Sequence, residues 1–256
     1  MFRVLAILAA TAPQLLSLFF MLESCGGFFY AMAEPDPLEI AVGRSAGYAS
    51  TLLPLVLAFL ALWAPRQFPK VGAIFAAVTL ALNALTLAVP YATPCGQTGG
   101  AWLPLVCHAI SVVALLRTRP GQPVPRPRAA MWSAALLLVL SRALVRNHSS
   151  DGIVGCWPDL RGTWALAQMH LDTAEALYVW VCVVAIGAVL AVHRIAPFVG
   201  LALLVPGLFP LIAWLTSSSE THGCPSTFDL LPWPHLIAGA LALLSRARLP
   251  SRSVSS

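Results

Sequence analysis

The sequence predicts an all-α fold: a polytopic transmembrane helical bundle of about eight spans, built from two parallel four-helix repeats. Three observations predict it. Of the 256 residues 59% are hydrophobic and only 10% charged, where a soluble domain carries about 25% charged residues. Apolar runs long enough to cross about 30 Å of hydrocarbon recur along the whole chain. Cysteines, Leu-Pro steps and arginines return in the same order half a chain apart. A mean hydropathy of +0.81 and a net charge of only +5 exclude a water-soluble globule and a disordered chain, and 17 glycines without a triplet period exclude a collagen.

The first run, Val4 to Leu22, follows a short basic stretch, Met1 to Arg3. Leu22-Glu23-Ser24-Cys25 has the outline of a lipoprotein cleavage box. Glu23 is foreign to such a box, and the run is long enough to span uncut, so a retained first span is expected. The next runs are Ala46 to Ala64, Val71 to Pro90 and, shorter, Ala101 to Leu116. Then comes Arg-Thr-Arg-Pro-Gly-Gln-Pro-Val-Pro-Arg-Pro-Arg, from Arg117 to Arg128, whose prolines favour an extended, semi-rigid spacer. Residues 119–128 are the expected cytoplasmic linker between a first repeat, 1–118, and a second, 129–256. The second repeat holds Ala129 to Val145, Ala174 to Val192, Ala196 to Leu215 with Pro206 and Pro210, and Leu230 to Leu244. Each run must be helical. Lipid offers no partners to backbone amides, and no run alternates as a barrel strand does.

Charge sets the orientation. With the N-terminus in the cytoplasm, the inner side collects Arg3, Arg66, Lys70, Arg117, Arg119, Arg126, Arg128, Arg194, Arg246, Arg248 and Arg252, eleven of the 15 basic residues. All 10 acids then fall outside: Glu23, Glu34, Asp36, Glu39, Asp151, Asp159, Asp172, Glu175, Glu220 and Asp229. This asymmetry over short inner loops predicts both termini inside a plasma or inner membrane. It also gives the outer face a negative field that favours cations.

The repeat is read from spacing. Cys25 pairs in register with Cys156, and Cys95 with Cys224, while Arg117 and Arg246 follow the second cysteine of each half at the same distance. Leu103-Pro104 and Leu231-Pro232 open the matching spans. Four spans per unit leave both copies in the same orientation, related by an axis along the membrane normal. All four cysteines then face an oxidising outer compartment, and the simplest connectivity is Cys25 to Cys95 and Cys156 to Cys224, one of three possible. No Cys-x-x-Cys or Cys-His spacing points to redox or metal chemistry instead. The two long outer loops carry Phe28, Phe29 and Tyr30 in one copy, and Trp157 and Trp164 in the other, residue types suited to interface anchoring. Residues 163–175 are compatible with a helix capped by Thr163, and Asn147-His148-Ser149 matches a glycosylation acceptor.

Polar residues inside lipid are the candidate functional positions, because each needs a partner. They are Gln14, Asn83, His108, Arg142 and His235. Arg142, with Arg146, lies near the outer end of its span and is expected to snorkel. Gln14 beside Pro13, and Asn83 between Thr79 and Thr86, are expected to bond between helices. His108 and His235 hold matching places in the fourth and eighth spans. They are expected either to bond carbonyls freed by Pro104, Pro232 or Pro234, or to face each other and bind a metal or haem iron or relay a proton. His148, His170 and His222 in the outer loops are weaker metal candidates.

No phosphate-binding glycine loop, dinucleotide fingerprint, zinc-hydrolase helix or nucleophile elbow is present, and the inner loops are too short for an ATP domain. Inner basic residues suit anionic lipid, so nucleic acid is not an expected partner. Three readings follow, with lipid as the common partner and no cofactor required. The first is a non-enzymatic membrane subunit or assembly protein that presents its disulfide-braced outer loops to membrane or extracytoplasmic proteins. The second is a small-solute or ion transporter or channel between the repeats, weakened by the lack of an intramembrane carboxylate. The third is a haem or metal redox protein built on His108 and His235.

Overall fold

A computed structural model of the chain describes residues 1–20, 37–88, 102–149, 171, 174–175, 177–191, 193, 195–216 and 233–245. Among the described residues there are eight helices and no strand: α1 (Phe2–Phe20), α2 (Pro37–Trp63), α3 (Phe68–Ala88), α4 (Trp102–Leu116), α5 (Arg126–Ser149), α6 (Val179–Val189), α7 (Ala196–Thr216) and α8 (Trp233–Leu244). Each apolar run of the sequence has become one helix. Several ends differ from expectation: α6 starts at Val179, five residues after Ala174, and α5 runs on to Ser149, past Val145. α2 starts at Pro37, well before Ala46, with Pro37 at a position that needs no N–H. α5 starts at Arg126, so Arg126, Pro127 and Arg128 form its first turn, where proline is tolerated, and the linker shrinks to 117–125.

The packing order is the same in both halves. α1 and α3 each pack on α2 and α4, closing a ring; α5 and α7 each pack on α6 and α8, closing another. The rings meet where α2 lies on α6, flanked by α1 on α6 and α2 on α5. Trp63 at the end of α2 donates its indole N–H to Ser133 Oγ on α5 at 2.9 Å across this boundary.

One end of the bundle is held by arginines. Arg3 donates to the Ala61 carbonyl at 3.1 Å and lies 4.9 Å over the Phe68 ring, tying α1 to the turn between α2 and α3. Arg128 donates to the Ser245 carbonyl at 2.9 Å, tying the start of α5 to the end of α8, where a helix leaves its last carbonyls unpaired. The linker docks on this end and is not a free spacer. Gly121 N–H donates to the Pro65 carbonyl at 2.9 Å, and a Cβ at Gly121 would stand 2.5 Å from Arg3 Nη1.

Small residues let the second ring close. A Cβ on Gly200 of α7 would lie 3.0 Å from the Gly239 carbonyl oxygen, and one on Gly239 of α8 would lie 2.9 Å from that of Gly200, so these backbones touch. On α6, a Cβ at Gly187 would stand 2.5 Å from the fully buried Trp132 of α5 and 2.7 Å from Val199 of α7. Gly187→Val is therefore expected to lower stability by about 1–3 kcal/mol through overpacking. Thermal unfolding in mild detergent checks this, and pairing the change with Trp132→Phe should return part of the loss.

Outward faces are apolar. On α3, Ile74, Phe75, Val78 and Leu85 are exposed, and on α7, Phe198, Leu201, Val205, Leu208 and Ile212 form a stripe at helical spacing. By length and apolarity two helices are long enough to cross a membrane, within Ala41–Trp63 and Phe68–Leu87; further apolar helices described over Phe2–Leu16, Trp102–Leu116, Val179–Val189, Ala196–Phe209 and Trp233–Leu244 are shorter. Cys25, Cys95, Cys156 and Cys224, with the loop aromatics, His170 and His222, lie outside the described residues. Cys107 and Cys182 are buried free thiols.

Candidate functional site

A helix that contains proline leaves a carbonyl without its usual donor, and one polar cluster is built around such a group. Pro54 within α2 has no N–H, so the carbonyl of Ser50, four residues earlier, loses its helical partner. Gln14 of α1 supplies one, donating Nε2–H to the Ser50 carbonyl at 2.8 Å. The Ser50 hydroxyl is engaged twice more: Asn83 of α3 donates Nδ2–H to Oγ at 3.0 Å, and His108 Nε2 of α4 lies 3.1 Å from the same oxygen. Because Oγ already accepts from Asn83, its own proton is available to His108 Nε2. One side chain from each of α1, α2, α3 and α4 thus meets at one level of the first ring. Asn83 also donates to the Thr79 carbonyl at 2.8 Å, which fixes its rotamer.

A serine hydroxyl on an imidazole is also the pairing that activates a nucleophile, which requires a third group to orient the base. Here His108 Nδ1 is buried with no partner among the described residues, His108 is fully buried, and Ser50 is 9% exposed. The arrangement is suited to holding four helices together. Nearer the arginine-held end, Ser111 of α4 donates Oγ–H to the Ala6 carbonyl of α1 at 3.0 Å and adds a further tie.

The second ring is different. His235, near the start of α8, is 1% exposed, and its Nε2 lies 2.7 Å from Glu175 Oε2, whose residue is 5% exposed just ahead of α6. The Trp180 ring stands edge-on to the imidazole with centroids 6.0 Å apart. Glu175 Oε1 and His235 Nδ1 are both buried with no hydrogen-bond partner among the described residues. Tyr178, between the carboxylate and α6, has a left-handed backbone, φ 58°, at the turn that carries Glu175 back against α8.

The sequence-predicted residues divide accordingly. Gln14, Asn83 and His108 come together on Ser50, as interhelical bonding of the first two predicts. Arg142 is half-buried on α5. The histidines do not use carbonyls freed by Pro104 or Pro234: His108 takes a hydroxyl and His235 a carboxylate. Their Nε2 atoms are engaged within separate halves, so the two rings do not form a shared metal or haem site through those atoms. Among the described residues no three His, Cys, Asp or Glu side chains converge on a point that could hold a metal. Sequence reading missed Ser50, Glu175 and Trp180. Ser50 was signalled by Pro54 four residues on. Glu175 stood one residue inside the predicted sixth span but was counted with the outer acids.

Comparison with models of known families, with curated proteins and with solved structures gives no match.

Proposed function

We propose that the chain is a multi-pass integral membrane protein of eight spans in two parallel four-helix halves. Both termini are cytoplasmic, and it works as a non-enzymatic membrane subunit or assembly protein. The observation that carries this reading is that the first half's interior polar side chains bond between helices: Gln14, Ser50, Asn83, His108 and Ser111 each make one such bond. That leaves the outward surfaces and the loops to do the work. The membrane setting is supported by apolar outward stripes on α3 and α7, which would be costly in water over such lengths. The parallel duplication is supported by the identical ring order of α1–α4 and α5–α8. It is supported also by matched elements: Arg3 and Arg128 clamp the same end, and His108 and His235 sit on corresponding helices. Positive residues at the clamped end support its placement in the cytoplasm.

Native purification in mild detergent, with mass spectrometry of all that accompanies the chain, tests the subunit reading. A defined stoichiometric complex is expected, and a chain that migrates alone from its native membrane contradicts it.

A specific observation favours a second reading. Glu175, buried against His235 inside the second ring, supplies an interior carboxylate of the kind an ion path needs, and intramembrane ionisable pairs mark such paths. Flux of a cation into proteoliposomes tests it.

A further inference from the structure

The end of the bundle that Arg3 and Arg128 clamp carries further cations that the clamp does not use. Between Glu39 and Asp151 the sequence has no acidic residue. Lys70, near the start of α3, and Arg117, just past the end of α4, are both exposed. Helix register sets them side by side. A Cβ on Gly72 of α3 would lie 3.2 Å from Leu115 Cδ2 of α4, and further along the pair Asn83 of α3 and His108 of α4 reach the same Ser50 hydroxyl. The two helices therefore run antiparallel, and a step back from Gly72 to Lys70 matches a step on from Leu115 to Arg117.

Each of these cations ends an apolar stripe. Lys70, Ile74 and Val78 follow one another at four-residue steps on one face of α3, and both apolar side chains are exposed. Ile110, Val113 and Arg117 do the same on α4, where the Arg117 N–H donates to the Val113 carbonyl at 3.2 Å and keeps the last turn helical. α3 packs on α2 and α4, and α4 on α3 and α1, which leaves these two faces outward. The linker brings more positive charge to the same place. Gly121 N–H, on the Pro65 carbonyl, holds the segment that carries Arg119 against the turn that carries Arg66, and both arginines are exposed. Apolar faces that run into paired cations match an amphiphile with acyl chains and an anionic head. A zwitterionic head suits them less well, because its ammonium group meets cations with no carboxylate to receive it.

We infer that the adjacent outward faces of α3 and α4 bind one anionic phospholipid. Its acyl chains lie along Ile74 and Val78 on one helix and Ile110 and Val113 on the other. Its phosphate accepts hydrogen bonds from the Lys70 ammonium and the Arg117 guanidinium, and Arg66 and Arg119 add to the local positive potential. The lipid is a bound neighbour and no bond is made or broken. The inference rests on the reading of the chain as a multi-pass membrane protein with this end at the cytoplasmic leaflet. It is independent of whether the chain co-purifies with partners or moves ions.

The test uses native mass spectrometry of the full chain, released from micelles that hold phosphatidylglycerol and phosphatidylcholine in equal amounts with identical acyl chains. One phosphatidylglycerol is expected to stay bound per chain, favoured over phosphatidylcholine at least about tenfold by its net charge. Lys70→Gln and Arg117→Gln should each weaken it about fivefold, equivalent to about 1 kcal/mol per cation near an anionic surface. Lys70→Arg and Arg117→Lys keep the charge and should retain it. Arg126→Gln removes an exposed cation from the same end but on α5, which packs on α2, α6 and α8, and should leave binding unchanged. Gln is a good helix former at exposed positions, and circular dichroism with a single gel-filtration peak establishes that each variant is folded. Equal retention of the two lipids overturns the inference. So does a loss on Arg126→Gln equal to that on Lys70→Gln, which would make the attraction a diffuse property of the whole end, or displacement by water-soluble glycerol phosphate, which would make the site one for free phosphate. Alkaline carbonate washing of native membranes separates the two levels of the account. A chain that stays in the membrane and shows no lipid preference contradicts this inference alone, and a chain that washes out contradicts the membrane reading and the inference with it.

Discussion

Replacing His235 with Leu is expected to destabilise the protein by about 3–5 kcal/mol, because it strands a buried carboxylate without its partner. Replacing Glu175 with Leu in the same chain is expected to return most of that loss, since an apolar pair of similar volume avoids burying any charge. Unfolding of the purified single and double variants in detergent, followed by circular dichroism, checks both. The prediction depends on the 2.7 Å contact lying inside the second ring with both residues below a tenth exposed. If His235→Leu costs nothing, the pair is wetter than described. If the double change costs as much as the single, the pair is itself a net source of stability.

Gln14→Ala is expected to cost about 1–3 kcal/mol by orphaning the Ser50 carbonyl, and much less when Pro54 is also Ala. The physical reason is specific. Pro54→Ala restores an N–H one turn beyond Ser50, so the helix supplies internally the donor that Gln14 otherwise brings from α1. The double-mutant cycle should therefore show a coupling of about 1 kcal/mol or more between two side chains linked through that carbonyl. Independent additive losses would mean that Gln14 acts through its other contacts.

Much of the helical fold was legible because long apolar runs without strand alternation leave few choices. Runs such as Ala196 to Leu215 are too long for ordinary strands and show no period-2 alternation, and each became a helix. Helix ends were harder to read. α2 and α5 both extend backwards through Pro37 and Pro127, because proline breaks a helix interior but suits its first turn. The matching of His108 with His235 could be read from spacing, and their partners could not. Partner choice depends on how the helices are arranged, and the ring order places α3 beside α4 with α2 across the ring from it, while the turn at Tyr178 folds Glu175 onto α8. Ser50 is the instructive case. A serine in a hydrophobic run carries no signal by its type, yet its place four residues before a proline already marked a carbonyl in need of a donor.

The most direct test is the sidedness of the cysteines. Intact cells are treated with a membrane-impermeant phosphine to open outer disulfides and then with an impermeant maleimide, using chains that keep one of Cys25, Cys95, Cys156 or Cys224 over the buried Cys107 and Cys182. Two parallel halves with cytoplasmic termini require all four to be labelled from outside. Labelling of Cys25 and Cys156 from opposite sides, or of any of the four only after lysis, would contradict the account.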